Sequence, residues 1–443
     1  MTDPIMNGIP DRGLSRRDLL QGGVAASLTA AFLSGCGGGS SSAPSLGNSS
    51  AGNMPKGFSR EELARRWQLV RERMKEQGFD CLIASHQAEN NADVRYLTDS
   101  RDAPDWVVFP LEGNLTAIFD GARAARETEA KKDWGIDVRT DFEGTKSAQL
   151  IACLRELNMT QARIGVGNLS GLLRNEEGGL SYTTFDRILR AFPRATFESA
   201  ADMLMRVKLV HSEEEIAVFE KLQEASEAGL QALLDTARPG LVHRDVWIHV
   251  YHAMLAATGE PPTRLSITAG GNANVTRGYP VDEVLRPGLI VSQEIDATLL
   301  GMRSQCNQSF LLGSPAPADW PSAAQYCIDL YHNMVDWIAP GKSFKDLTEL
   351  YGQQVRQRSG ENVRVGGVMV HTGGWGDGPR LGVGRTEGLD DLLIEAGMIF
   401  TMKPSVPIKD LDQSAQFGDA VVVTENGARR LGKRKLEVLT IGA

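Results

Sequence analysis

The chain has 443 residues, 42% of them hydrophobic, which is enough for the cores of two or three domains at roughly 100–200 residues each. Its formal net charge of −9 argues against a nucleic-acid-binding protein, whose footprint is basic. Beyond the amino terminus no run of about 18 apolar residues occurs, so no membrane-spanning helix is expected.

The amino terminus reads as an address rather than as structure. Ser15-Arg16-Arg17-Asp18-Leu19-Leu20 has the form of a twin-arginine export signal. A weakly apolar stretch over residues 22–33 follows, and then Leu33-Ser34-Gly35-Cys36, which has the form of a lipobox. Residues 1–36 are therefore expected to be a twin-arginine signal with lipobox, with Cys36 the lipidation site. The Gly- and Ser-rich residues 37–55 are expected to be a flexible tether. The expected location is the periplasmic face of the cell envelope, anchored by lipid, with the outer membrane favoured because Gly37 rather than Asp follows the cysteine. The competing reading is an accidental arginine pair ahead of a flexible tail. Cys81, Cys153, Cys306 and Cys327 are widely spaced and form no CxxC, which predicts buried thiols rather than a disulfide framework.

The spacing of Leu63, Trp67, Val70 and Met74 predicts a helix over 59–77, capped by Ser59 and ended by Gly78. Residues 79–84 read as a short buried strand. Val94-Arg95-Tyr96-Leu97-Thr98 is expected near the surface of the amino-terminal domain. Residues 106–109 and 115–119 read as a hairpin around Glu112-Gly113-Asn114. Helices and strands alternate to about residue 197. Ser212 then caps a long helix to about Thr236, with Glu213, Glu214 and Glu215 in its first turn. Further helices are expected over 244–258, 322–338 and 344–360. Strands are expected near 265–269, 289–297, 305–312, 367–371, 398–403 and 420–424.

Several segments of the second half carry recognisable wording. Gly270-Gly271-Asn272-Ala273-Asn274 leads through Arg277 and Pro280 to Leu285-Arg286-Pro287-Gly288. Ile295-Asp296-Ala297 precedes Gly301-Met302-Arg303-Ser304-Gln305-Cys306-Asn307-Gln308. Then come Val370-His371-Thr372-Gly373-Gly374-Trp375-Gly376-Asp377-Gly378-Pro379, Gly397-Met398-Ile399-Phe400-Thr401-Met402-Lys403-Pro404, and Phe417-Gly418-Asp419. Over residues 58–436 this pattern resembles the creatinase/prolidase/aminopeptidase P (pita-bread) family. The fold class implied is α/β (α+β): a creatinase-type amino-terminal α/β domain over 56–202, then a pita-bread αβ catalytic-like domain over 203–443. The resemblance also implies a homodimer in which Arg95, Tyr96 and residues 101–106 are candidates to rim the partner's site.

In the family's metallopeptidases five positions of this pattern hold metal. Here they read Asp296, Gln305, His371, Lys403 and Gly418, and only Asp296 and His371 can ligate. Arg277 stands where the family has a substrate-contacting His, which the metal-free creatinase uses as its base. Gln308 replaces an Arg, and Leu289 replaces an Asp in what reads as a structural position.

An intact set of four carboxylates and an imidazole carries about −4 and needs its cations, because like charges at close range raise one another's pKa. Here Asp296 and Lys403 cancel, and Gln305 and Gly418 are neutral. The ammonium of Lys403 is therefore expected in the metal's place, paired with Asp296, with no metal and no cofactor. Arg277, Arg303 and Arg380 add positive charge, which favours a small anionic substrate. On this reading the protein is a metal-independent hydrolase or lyase, both activities being represented in the family. His371 is the general acid/base, Asp296 orients His371 or Lys403, and Lys403 and Arg277 bind the anion or stabilise developing negative charge. Gln305, Arg303, Trp375, Asp377 and Arg380 complete the substrate-binding set, with Trp375 read as either an apolar wall or a packing residue. Two alternatives stay open. One is a lipoprotein that binds a ligand without turnover. The other is an Xaa-Pro-type metallopeptidase in which Asp377, Asp419 or Asn307 replaces a lost ligand. The six other histidines read as surface or helix residues, and Lys433-Arg434-Lys435 as a solvated terminal run.

Overall fold

The computed structural model describes residues 54–86, 92–140, 145–169, 179–270, 279–360, 370–372, 374–375, 380–381 and 392–442. Cys36, Arg277 and Asp377 lie outside them, and His371 and Arg380 are described at the level of the backbone.

The amino-terminal half runs α1 (Arg60–Gln77), β1 (Cys81–Ser85), α2 (Ala92–Thr98), β2 (Trp106–Pro110), β3 (Leu115–Ile118), α3 (Ala122–Glu129), β4 (Ile136–Arg139), α4 (Lys146–Glu156), β5 (Arg163–Val166), α5 (Tyr182–Ala191), β6 (Thr196–Ser199) and α6 (Ala201–Val207). Ser59 caps α1 by accepting from the Glu62 amide, and Gly78 ends it at φ +73°. The stripe of Leu63, Trp67, Val70 and Met74 is buried, as its spacing predicts. The strands form one six-stranded sheet in the order β4-β3-β2-β1-β5-β6. The β1–β2 and β2–β3 pairs are antiparallel and the others parallel. β1 is buried along its whole length, which explains why its sequence is continuously apolar rather than alternating.

Residues 94–98 depart from expectation. They belong to α2, and Val94, Tyr96, Leu97 and Thr98 are buried rather than at the surface. The cause is packing on α1, where the Trp67 indole donates to the Leu97 carbonyl at 2.8 Å.

The second half runs α7 (Glu213–Thr236), α8 (His243–Thr258), β7 (Arg264–Ala269), β8 (Leu289–Leu299), β9 (Met302–Gln308), β10 (Phe310–Leu312), α9 (Trp320–Trp337), α10 (Phe344–Ser359), β11 (Val370–Thr372), β12 (Gly374–Trp375), β13 (Arg380–Leu381), β14 (Ile399–Met402), β15 (Ser405–Pro407), β16 (Ser414–Thr424), β17 (Gly427–Arg430) and β18 (Thr440–Ile441). Ser212 and Glu215 close a reciprocal capping box at the start of α7. Within the twelve-stranded sheet the path is β13-β11-β14-β16-β9-β8-β10-β18, and β7 also pairs with β8.

β8 and β9 are joined by the two-residue turn Leu300-Gly301, with φ of +53° and +83°. Positive φ at both positions is the turn geometry that matches strand twist. Leu300 adopts it with its amide donating to Glu260 Oε1 at 3.0 Å.

Alternation along β8 sorts its residues. Ile295, Ala297 and Leu299 join the apolar core with Phe219, Leu222 and Leu230 of α7. Glu294, Asp296 and Thr298 take the opposite face. Met402, Val421 and Val423 pack in a second core with Tyr331 of α9 and Phe344 of α10. All four predicted thiols are buried and free.

Candidate functional site

The site face is built by strand register. Asp296 stands opposite Gln305 on β9 and opposite Arg264 on β7. Gly418 stands opposite Asn307. Met402 pairs with Asp419 and Ser405 with Gln416, so Lys403 falls opposite Gly418 between them. Carrying the β8–β9 register on by one residue from Ile295–Cys306 sets Glu294 across from Asn307. One row, Lys403–Gly418–Asn307–Glu294, thus crosses four strands on a single face.

Lys403 and Glu294 meet along this row, with the ammonium 2.9 Å from Oε1 and Lys403 only 2% exposed. Glu294 is two residues from Asp296 and shares its face, and it takes the place expected of Asp296 as the ion-pair partner of Lys403. The ammonium contributes to the field at Asp296, but the ion pair is made with Glu294. The other oxygen of Glu294 takes Arg264 Nε at 2.9 Å. Asp296 itself is 2% exposed, with Oδ2 3.9 Å from Arg303 Nη1. Burial pushes its carboxyl above the ordinary value of 3.8, while Arg303 and Lys403 pull it back. Gln305 is buried beside it. Among the described residues three cations, Arg264, Arg303 and Lys403, therefore stand with two carboxylates, Glu294 and Asp296.

Gly418 is required where it stands. A Cβ there overlaps the Met402 carbonyl oxygen and comes within 2.7 Å of Lys403 Cα, so no larger residue fits without moving β14. Asp419, one position on, faces the helices. It accepts from the Tyr331 hydroxyl, from Arg430 Nε at 2.7 Å and from Arg434 Nη1 at 2.7 Å. It is thus saturated, on the far side of the sheet from Asp296, and cannot step in as a ligand. Asn307 turns its amide onto the Gln293 carbonyl. Among the described residues no group of three or more His, Cys, Asp or Glu is placed to hold a metal ion. Glu294, the one extra carboxylate on the face, is engaged by two cations. The residues described here do not fit a divalent cation.

His371 lies on β11, its backbone opposite Thr401 on one side and Arg380 on the other. Thr401 in turn pairs with Ala420 of β16.

Four other expectations are corrected. Trp375 is no substrate wall. It is 4% exposed, packs against Tyr96 and Phe58, and donates to Glu215 Oε1 at 2.7 Å. Arg434 is no solvated terminal residue, because it also donates to the carbonyls of Asn307 and Gly418 at 2.7 and 2.8 Å and so pins the back of the site. His211 is neither surface nor helical. It is 5% exposed, its Nδ1 is 3.3 Å from the Gly397 carbonyl, and burial holds its pKa below the ordinary 6.5. Of the rim candidates, Tyr96 and Trp106 are core residues, while Arg95 and Arg101 pair with Glu260 of the same chain.

Glu294 was detectable in principle, because strand alternation puts it on the face of Asp296. Its partner was not, because that follows from register across four strands.

A six-stranded and a twelve-stranded sheet in these orders, the second with a polar face built by β8 and β9, define a class. Residues 66–210 match the creatinase/prolidase N-terminal domain, and residues 217–425 match Metallopeptidase family M24. The chain belongs to the creatinase/prolidase/aminopeptidase P family and has its pita-bread fold. It is 24% identical over 265 residues to an Xaa-Pro dipeptidase of Pyrococcus furiosus, covering 59% of this chain and 74% of that protein. It is 22% identical over 405 residues to a creatinase of a Bacillus species, covering 85% and 92%. Among solved structures it resembles an Xaa-Pro dipeptidase from Bacillus anthracis, with a TM-score of 0.71, 17% identity, and coverage of 86% of this chain and 100% of that one. The prolidase from Pyrococcus horikoshii gives a TM-score of 0.69 with 18% identity, covering 85% and 100%.

Proposed function

We propose that this protein is a metal-independent pita-bread enzyme, a hydrolase or lyase, acting on a small anionic molecule with His371 as general acid/base. The observation that carries the reading is the buried Lys403–Glu294 pair, which sets a fixed ammonium beside Asp296 where its relatives' family pattern has an acidic ligand. A cation of this kind supplies positive charge without coordination chemistry. Among the described residues the excess of cations over carboxylates on the face supports an anionic substrate. Burial holds the Asp296 carboxyl above its ordinary value. His371 moves the proton to or from the reacting atom, and Asp296 with Gln305 orients the polar part of the substrate.

The metallopeptidase alternative is weakened by Asp419, which faces the helices, and by Gly418, which has no room for a side chain. The protein is further proposed to be exported by the twin-arginine route, lipid-anchored at Cys36 on the periplasmic face of the envelope, and to work as a homodimer. Fractionation of a Cys36→Ser variant tests the anchor, since it should move to the soluble fraction.

The functional test has two stages. Purified protein is exposed to excess Mn, Zn and Fe, desalted and assayed for bound metal. The expected result is less than stoichiometric metal. One or two metals per chain would overturn the reading and direct attention to Xaa-Pro peptides. Turnover of small carboxylates is then compared with that of His371→Ala. Loss of turnover with binding retained supports the enzyme, and binding without turnover in the unaltered protein leaves a binding protein.

A further inference from the structure

The two cations that share Glu294 differ in their access to solvent. Lys403 is 2% exposed, whereas the side chain of Arg264 is 39% exposed. Arg264 Nε lies 2.9 Å from Glu294 Oε2, an ion pair without hydrogen-bond alignment. Among the described residues its two terminal nitrogens have no protein partner. Its backbone stands directly opposite Asp296, on the flank of β8 away from Arg303. Among the described residues the charge surplus of the face therefore has an outlet towards solvent in the two unspent donors of the planar Arg264 guanidinium.

We propose that Arg264 is the specificity-determining residue of this site, binding a carboxylate of the substrate through the Nη1–Nη2 edge of its guanidinium. The proposal rests on the anionic-substrate reading above and names the residue that reads the anion. A guanidinium ion-paired with Glu294 on its Nε side presents its remaining edge as a flat two-donor fork, which matches a planar carboxylate in a bidentate pair. Glu294 sets the orientation of the fork, while Lys403 holds the other oxygen of Glu294 so that the carboxylate cannot follow the arginine outwards. The docked anion compensates the third cation of the face. A lysine at this position would keep the charge but lose the fork.

The test uses the full chain, metal-free, in calorimetric titrations with N-acetylglycine, N-acetylproline and glutarate, each beside its neutral amide. At least one carboxylate should bind the unaltered protein about tenfold or more tightly than its amide. Arg264→Gln should lose about 10- to 100-fold for that carboxylate, the loss of a charged hydrogen-bonded contact, with the amide unchanged. Arg264→Lys should fall between. Circular dichroism and thermal unfolding establish that the variants are folded; if Arg264→Gln fails to fold, Arg264→Lys carries the test, and unchanged affinity there overturns the proposal. Carboxylate preference that survives Arg264→Gln overturns the role of Arg264 and leaves the anionic reading standing. No preference for carboxylate over amide in the unaltered protein overturns both.

Discussion

The indole of Trp375 donates to Glu215 Oε1 at 2.7 Å, and that hydrogen bond ties the strand after His371 to the first turn of the helix that opens the second half of the chain. Glu215 is also the capping-box residue of α7, and the same carboxylate takes Arg66 of α1 at 2.9 Å. Arg66 is fully buried, with its guanidinium carbon 4.0 Å from the centroid of Phe58, 4.7 Å from that of Trp375 and 5.1 Å from that of Tyr96. The amino-terminal half therefore braces the histidine strand through packing and charge together.

Trp375→Phe keeps most of the packing and removes only the donor. The Glu215 carboxylate retains Arg66 and Arg65, so the expected loss is that of one hydrogen bond to a buried charge, about 1.5–3 kcal/mol by urea unfolding. An unchanged midpoint and slope would show that the bond contributes nothing.

Gly418→Ala is expected to cost at least about 3 kcal/mol, at the upper end for an overpacked site, because the new Cβ meets the backbone of β14 rather than a flexible side chain. Gly427→Ala is the control. The nearest atom to a Cβ there is the Ile338 carbonyl oxygen at 3.9 Å, so it should change stability by less than about 0.5 kcal/mol. Equal melting temperatures for the two variants would refute the steric account.

Lys403→Met takes the buried ammonium away from Glu294, and about 3 kcal/mol of stability should be lost. Glu294→Gln should cost a similar amount, and the double variant less than the sum, because neither partner is then stranded. Lys403→Glu has a different readout. It sets a third carboxylate beside Glu294 and Asp296 on the face that His371's strand borders, and should confer uptake of Mn or Zn, measured as metal retained after desalting. If Lys403→Glu folds and takes up no more metal than the parent, then Lys403 is not what stands in the cation's place.

Much of this architecture is legible in the chain. Ser59 and Ser212 announce the helices they cap, and the alternation of Ile295, Asp296 and Ala297 gives the correct face for Asp296. The unread features share one physical cause, which is that they depend on register between distant strands. Glu294 looks like one more strand polar residue until β14, β16, β9 and β8 are laid side by side. β16 runs from Ser414, well before the expected start at 420, because Gly418 and Asp419 look like a break although one packs against backbone and the other is buried among Tyr331, Arg430 and Arg434. Arg434 hides in a charged run whose neighbours do form surface pairs, Lys433 with Glu224 and Lys435 with Glu437. Trp375 follows a glycine-rich loop, where composition alone does not distinguish a ligand wall from an anchor.

The last prediction concerns pH. His211 lies between Gly397, whose carbonyl faces its Nδ1, and Gly374, where a Cβ would overlap its Nε2. Glu215 and Arg66 act on it with opposite signs, and burial outweighs both, so its folded-state pKa lies below the 6.5 of an unfolded histidine. The unfolded chain therefore takes up a proton first as pH falls. The neutral ring's contribution is complete above 6.5, drains away as pH drops towards the folded value, and is constant below it. His211→Asn keeps a donor for Gly397 and removes the titration. The stability difference between parent and variant should then narrow from about pH 7.5 to about pH 5.5, as followed by urea unfolding across that range. Other titrating groups cancel in the difference. A gap that stays constant with pH would mean that His211 takes up its proton as readily when folded as when unfolded.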